Sequence, residues 1–121
     1  MRNFLILKYN NCQSGGVCQV PYSLSEVEDH NKFTFSWQTE NDFYTTFNIV
    51  LYRIDEQGQV ISTIFNYDVP VKNYDILKSF LGSGIYRFAV RTICGNSFSS
   101  FHSVEFEFTK IGVGLEQNLI G

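Results

Sequence analysis

The residues able to do nucleophilic, acid–base or soft-metal chemistry are few: His30 and His102, and the cysteines Cys12, Cys18 and Cys94. An odd cysteine count is not a disulfide framework. Cys12 and Cys18 flank a Gly15-Gly16 turn and could pair locally. A zinc site would want paired cysteines two to four residues apart, and the wider Cys12–Cys18 spacing does not supply it. Reduced, chemically quiet thiols are the expectation, with Cys94 a small buried hydrophobe at a strand end. His30 lies among Glu28, Asp29 and Asn31, where solvated polarity is expected, and His102 abuts the last strand. Glu26, Glu28 and Asp29 lack the ordered alternation of a calcium loop. No Gly-x-Ser-x-Gly, His-Glu-x-x-His or phosphate-cradling glycine motif occurs. The expectation is a protein that is not an enzyme, with no catalytic residues, no metal and no cofactor.

What, then, are these residues mounted on? The chain has 121 residues, 44% of them apolar, including 12 Phe, 7 Tyr and one Trp. That is one domain's worth of chain with ample material for a packed core. The formal charge is −3 and no Lys/Arg-rich run exists, which argues against a nucleic-acid partner. No apolar stretch reaches the roughly 18–20 residues of a membrane helix, so no membrane partner is expected. The apolar run Phe4-Leu5-Ile6-Leu7 stops at Lys8, short of the about 7–15 residues of a secretory signal. Synthesis in a host cytoplasm without a signal peptide, and location in the virion, are expected.

Apolar residues alternate with polar ones at period two. Phe33, Phe35 and Trp37 share one face of a strand, and Phe47, Ile49 and Leu51 share one face of the next. Asn48, Val50, Tyr52 and Ile54 make that second strand partly apolar on both sides. Asp55-Glu56-Gln57-Gly58 is a turn, and Gln59 to Phe65 returns as its partner, with Pro70 interrupting beyond. Tyr74 to Leu81 is either a short strand or a helical turn. After Gly82-Ser83-Gly84, Ile85 to Ile93 forms a strand with Tyr86, Phe88 and Val90 on one face and Arg87, Ala89 and Arg91 on the other. Gly95-Asn96-Ser97 is a loop. Phe101 to Phe108 is last, with Val104, Phe106 and Phe108 opposite Glu105 and Glu107. Short strands and tight turns without helical periodicity predict an all-β antiparallel sandwich.

Residues 20–108 resemble a fibronectin type III module, an immunoglobulin-like sandwich. Val20-Pro21 with Leu24 looks like that family's first strand, and Phe33-Thr34-Phe35-Ser36-Trp37 like its second. Phe47 to Tyr52 looks like the third. Tyr86, after the glycine turn, looks like the tyrosine-corner residue, and Gly95 to Ser100 like the loop before the last strand. The resemblance implies a seven-stranded sandwich and no particular activity. Residues 1–19 then form an N-terminal extension and 109–121 a C-terminal docking tail.

Function is expected to lie in binding. The leading expectation is a virion structural protein, an auxiliary or decoration protein on the capsid or neck of a tailed bacteriophage, binding other virion proteins or copies of itself. The alternative is a carbohydrate- or receptor-binding module for a surface glycan, through Tyr44, Tyr52 and Phe98. The candidate partner-binding residues are Phe4, Leu5, Ile6 and Leu7 in the first extension and Tyr52, Arg87 and Arg91 on a sheet face. Ile111, Val113, Leu115, Leu119 and Ile120 complete the set in the tail, where the first three alternate with Lys110, Gly112 and Gly114 at strand period. Arg87 and Arg91 are expected to face Glu105 and Glu107 across the sheet.

Overall fold

The architecture comes from a computed structural model in which residues 18–40 and 45–110 are described. The alternating runs become strands where expected. β1 is Tyr22–Glu28, β2 Lys32–Gln38, β3 Phe47–Ile54 and β4 Val60–Val69; β5 is Asn73–Leu77, β6 Gly84–Cys94, β7 Ser97–Phe98 and β8 His102–Phe108. β1, β2 and β5 form one antiparallel sheet in the order β1-β2-β5. The other runs β4-β3-β6, with both β7 and β8 paired to β6. The inner faces meet in a core of Phe33, Phe35, Trp37, Phe47, Ile49, Leu51, Ile76, Leu81, Tyr86, Phe88, Val90 and Phe106.

The period-two pattern explains this core directly. Side chains alternate across a strand, so Phe33, Phe35 and Trp37 must enter the same side. Phe35 stacks on Phe88 across the sandwich with ring centroids 4.1 Å apart, and Trp37 meets Phe47 edge-on at 5.6 Å. β3 is buried on both faces at Val50 as well as at Ile49 and Leu51, which its two-sided apolar pattern anticipates.

Several boundaries are sharpened. β4 runs ten residues to Val69 rather than stopping at Phe65, and ends against Pro70, which cannot donate to a ladder. The undecided stretch Tyr74 to Leu81 is both readings in turn: β5 to Leu77, then a single 3₁₀ turn over Lys78–Phe80. The loop Gly95-Asn96-Ser97 contributes its last residue to the two-residue strand β7. Gly58 takes φ +83° in the β3–β4 turn, where Asp55 accepts from the backbone N–H groups of Gln57 and Gln59. The Tyr86 hydroxyl donates to the Gly82 carbonyl at 2.7 Å, the bond a tyrosine corner makes.

The cysteine reading is corrected. Cys18 and Cys94 form a disulfide, with Cα atoms 5.8 Å apart at a sequence separation of 76. Cys94 is therefore not an unpaired small hydrophobe, and Cys18 is not available to Cys12, which lies outside the described residues. The physical reason is topological. The chain entering β1 passes the far end of β6, where the Thr92 hydroxyl donates to the Gln19 carbonyl at 2.7 Å. No local spacing rule could bring those two sulfurs together.

Candidate functional site

The sheet face singled out from sequence is largely committed to internal bonds. Arg87 stands opposite Glu105 in register and binds its carboxylate at 2.7 Å, as expected. It also donates to the Gly58 carbonyl at 2.9 Å, tying β6 to the β3–β4 turn. Arg91 does not face Glu107, which stands opposite Ile85 at the other end of the strand. Instead the Arg91 guanidinium lies 3.9 Å from the Phe98 ring centroid and 4.6 Å from that of Phe101, and its Nε donates to Asn48 Oδ1. Asn48, itself buried, donates to Asn66 Oδ1, Asp68 Oδ1 and the Tyr67 carbonyl. A buried amide with this many partners is satisfied. Tyr52 stands beside Arg87 in register and is half-buried.

The histidines are accounted for in the same way. His102 Nδ1 lies 3.0 Å from the Pro21 carbonyl, bridging β8 to the chain entering β1. His30 is exposed on the rim of a shallow depression shared with Glu28 and Lys78, which pair with each other at 2.6 Å. Among the described residues, no group of three or more His, Cys, Asp or Glu side chains could hold a metal ion. Asp29 accepts from the backbone N–H groups of Asn31 and Lys32, and the first of these bonds does most to hold its carboxyl below the usual range. Partial burial, then the neighbouring Glu28, raises Glu26. Both are local turn and strand effects.

The feature that sequence reading missed lies on the opposite margin. Among the described residues, β4 is the last strand of its sheet and β5 the last of the other, on the same side of the sandwich. Val60, Ile61, Ile64 and Tyr67 of β4 are exposed, Ile61 at 61%. In a strand of ten residues the only charge is Asp68. Edge strands are ordinarily protected by lysine, proline, brevity or bulges, and of these β4 has only the last. Register irregularities at Leu51/Tyr52 and Arg53/Ile54 are its only interruptions.

Between the two edges opens a cleft of about 230 Å³, lined by Leu51, Ile64, Phe65, Tyr67, Tyr74 and Phe80 among others. Phe65 and Tyr67 face inward, because their register partners Leu51 and Ile49 do. Their rings stack at 4.9 Å, and both approach Tyr74 of β5, at 5.5 Å and 6.4 Å. Partial burial, then the nearby Tyr67, raises the Tyr74 hydroxyl's pKa. On the outer side of β5, Asp75 accepts from Thr34 at 2.8 Å and from Lys32 at 3.2 Å, and these bonds hold its carboxyl low. Phe80 projects from the 3₁₀ turn at 79% exposure. The available signal was the pair Phe65 and Tyr67 two residues apart, but it became meaningful only once β4 proved to be an edge.

Phe4, Leu5, Ile6, Leu7, Tyr44, Ile111, Val113, Leu115, Leu119 and Ile120 lie outside the described residues.

No protein-family model matches the chain, and no curated protein does. Solved structures do. A computationally redesigned β-sandwich protein aligns with TM-score 0.63 at 11% identity, over 79% of this chain and 95% of that one. The fibronectin type III domain of the human collagen α-1(XX) chain aligns with TM-score 0.62 at 14% identity, over 82% and 92%. At such identities the likeness concerns fold alone. Together with the β1-β2-β5 and β4-β3-β6-β8 sheets and the Tyr86 corner, it establishes an immunoglobulin-like, fibronectin type III-like β-sandwich.

Proposed function

We propose that the chain is a non-enzymatic binding module that joins other proteins into an assembly, and that the assembly is a virion, with this protein as an auxiliary or decoration component on the capsid or neck of a tailed bacteriophage. The observation behind this reading is the long, apolar β4 edge, which carries no lysine or proline. The backbone groups of β4 that point away from β3, roughly half of those in the strand, offer hydrogen bonds to an incoming strand, and flanking apolar side chains give the contact specificity. The Cys18–Cys94 staple suits a module exposed on a particle surface, since disulfides persist in oxidising surroundings, virion exteriors among them. Purified particles provide the test. The protein should co-purify with them through density-gradient centrifugation at a fixed copy number per particle. Quantitative recovery in the soluble fraction, free of particles, would refute the virion setting.

A second reading, carbohydrate binding, is favoured by the cleft rather than by the residues first considered for it. One face of the exposed Phe98 ring is taken by the Arg91 guanidinium, whereas Phe65, Tyr67 and Tyr74 offer ring surface and two phenolic hydroxyls around a concave site. Saccharides use that combination, C–H faces on rings and hydroxyls on hydroxyls. A glycan array separates the readings: saturable binding lost in Tyr67→Ala favours the second.

A further inference from the structure

We infer that the β4 edge of one copy receives residues 110–115 of another copy as an added strand, joining the modules head to tail. The inference rests on the reading of β4 as the binding edge and names its occupant.

The first argument is reach. The last described residue, Lys110, donates its backbone N–H to Ser83 Oγ at 2.8 Å. Phe108 stands opposite Gly84, Ile85 opposite Ile54, and Ile54 opposite Val60. The chain therefore leaves the sandwich at the end where β4 begins, but at the other side of the sheet, because the order is β8-β6-β3-β4. A strand lying beyond β4 sits four inter-strand steps from β8, about 19 Å at roughly 4.8 Å each. Crossing that distance takes about six extended residues at roughly 3.3 Å apiece. Six residues is the whole of the alternating stretch Lys110-Ile111-Gly112-Val113-Gly114-Leu115. It would be consumed in reaching its own β4 edge and cannot also pair with it. The β4 edge of a neighbouring copy carries no such restriction.

The second argument is fit. An added strand continues the alternation of the sheet it joins. With Ile111, Val113 and Leu115 on the inward side, three aliphatic side chains lie along the cleft beside Phe65, Tyr67 and Ile64. Gly112 and Gly114 then fall on the outward side. The third argument is charge. The only charged residue of β4 is Asp68, next to its last residue, and the only charged residue of the 110–115 stretch is Lys110, its first. Antiparallel pairing brings the two together, so the charges select that direction. Donor and acceptor are different surfaces of the molecule, so the contact is heterologous and generates rings or open chains rather than a two-fold dimer.

Two variants and a mixture test this. One ends after Lys110 and keeps the edge; the other keeps the full chain and carries Ile61→Lys with Ile64→Lys. In sedimentation velocity the unaltered protein should gain mass with concentration in steps of one protomer, while each variant stays monomeric. An equimolar mixture of the variants should give a heterodimer of twice the monomer mass and nothing larger, because each supplies what the other lacks. A monomeric unaltered protein at every concentration overturns the inference, as does self-assembly of the shortened chain or a mixture that stays monomeric. A synthetic peptide of residues 109–121 titrated onto the shortened chain gives a readout that does not depend on the lysine variant folding. Amide shifts should concentrate on residues 60–69 and their neighbours in β3; shifts elsewhere, or none, overturn the inference. Particle co-purification of the shortened chain keeps this separate from the function proposed above: retention on particles without self-assembly sinks the inference and leaves that function standing.

Discussion

The two margins of this sandwich are finished differently. On the β1/β8 margin, Phe33 packs against Phe106 at 4.8 Å and Phe108 at 5.8 Å, Lys78 joins Glu28 over the same rings, and His102 meets the Pro21 carbonyl. The Cys18–Cys94 bridge fastens the chain entering β1 to the end of β6. On the β4/β5 margin the rings of Phe65, Tyr67 and Tyr74 touch one another but enclose an open cleft, and the strand beside them exposes valine, isoleucine and tyrosine. A fold with four edge strands must either cover them or use them. Here the covalent and aromatic closure is concentrated on one side, and the other, among the described residues, retains exposed apolar side chains and the outward-facing backbone groups of β4.

The sharpest way to break the comparison is to remove the core phenyl that packs against β8 and one beside the open cleft. Phe33→Ala should cost about 3–5 kcal/mol, because a fully buried ring leaves a cavity. Phe80→Ala should stay within about 0.5 kcal/mol, as exposed substitutions do. Denaturant titration of both variants checks this, and comparable losses would erase the distinction.

Opening the staple should come next. In the loop-entropy account a closed loop of this length is worth about 4 kcal/mol, before residual structure in the unfolded chain reduces it. Cys94→Ser, or reductant, should therefore lower Tm by on the order of 10 °C or more. An unchanged melting curve under reductant would show that the β1/β8 margin holds without its bridge.

Tyr67→Ala removes one ring from the stack on the open margin. A loss of about 0.5–1.5 kcal/mol is expected, the usual range for an aromatic pair, with the far-ultraviolet circular dichroism unchanged. A loss as large as that of Phe33→Ala would make the cleft part of the core.

The smallest effect is electrostatic. Asp75 is held below its ordinary pKa by Thr34 and Lys32, so the folded state binds its proton less readily than the unfolded chain. Its contribution is present above the unfolded value, roughly 3.9, and is lost as pH falls through the lower folded value. Asp75→Asn should cost a few tenths of a kcal/mol at neutral pH, as exposed pairs do, and flatten the loss of stability in acid. The raised Glu26 acts in the opposite sense, favouring the folded state towards acid pH and losing that effect as pH rises through its folded value. An unaltered acid limb in the variant would assign the dependence elsewhere.

The strands themselves were legible because alternation is a local property. Phe33-Thr34-Phe35-Ser36-Trp37 has only one way to bury three aromatic rings on one side, and Gly82-Ser83-Gly84 before Tyr86 places the corner hydroxyl four residues from its acceptor. Class, core and corner therefore follow from residue order and spacing. Neighbourhood does not. Nothing local to Cys18 or Cys94 says that the end of β6 passes the start of β1, and nothing in Val60-Ile61-Ser62-Thr63-Ile64-Phe65 says that, among the described residues, its strand pairs on one side only. Arg91 likewise finds Phe98, Phe101 and Asn48 in place of the carboxylate expected for it, because strand register had to set who stands opposite whom. Pairing partners, edges and the disulfide are long-range contacts, decided when the whole chain chooses one arrangement that buries every apolar face at once, and that choice is made by tertiary packing alone.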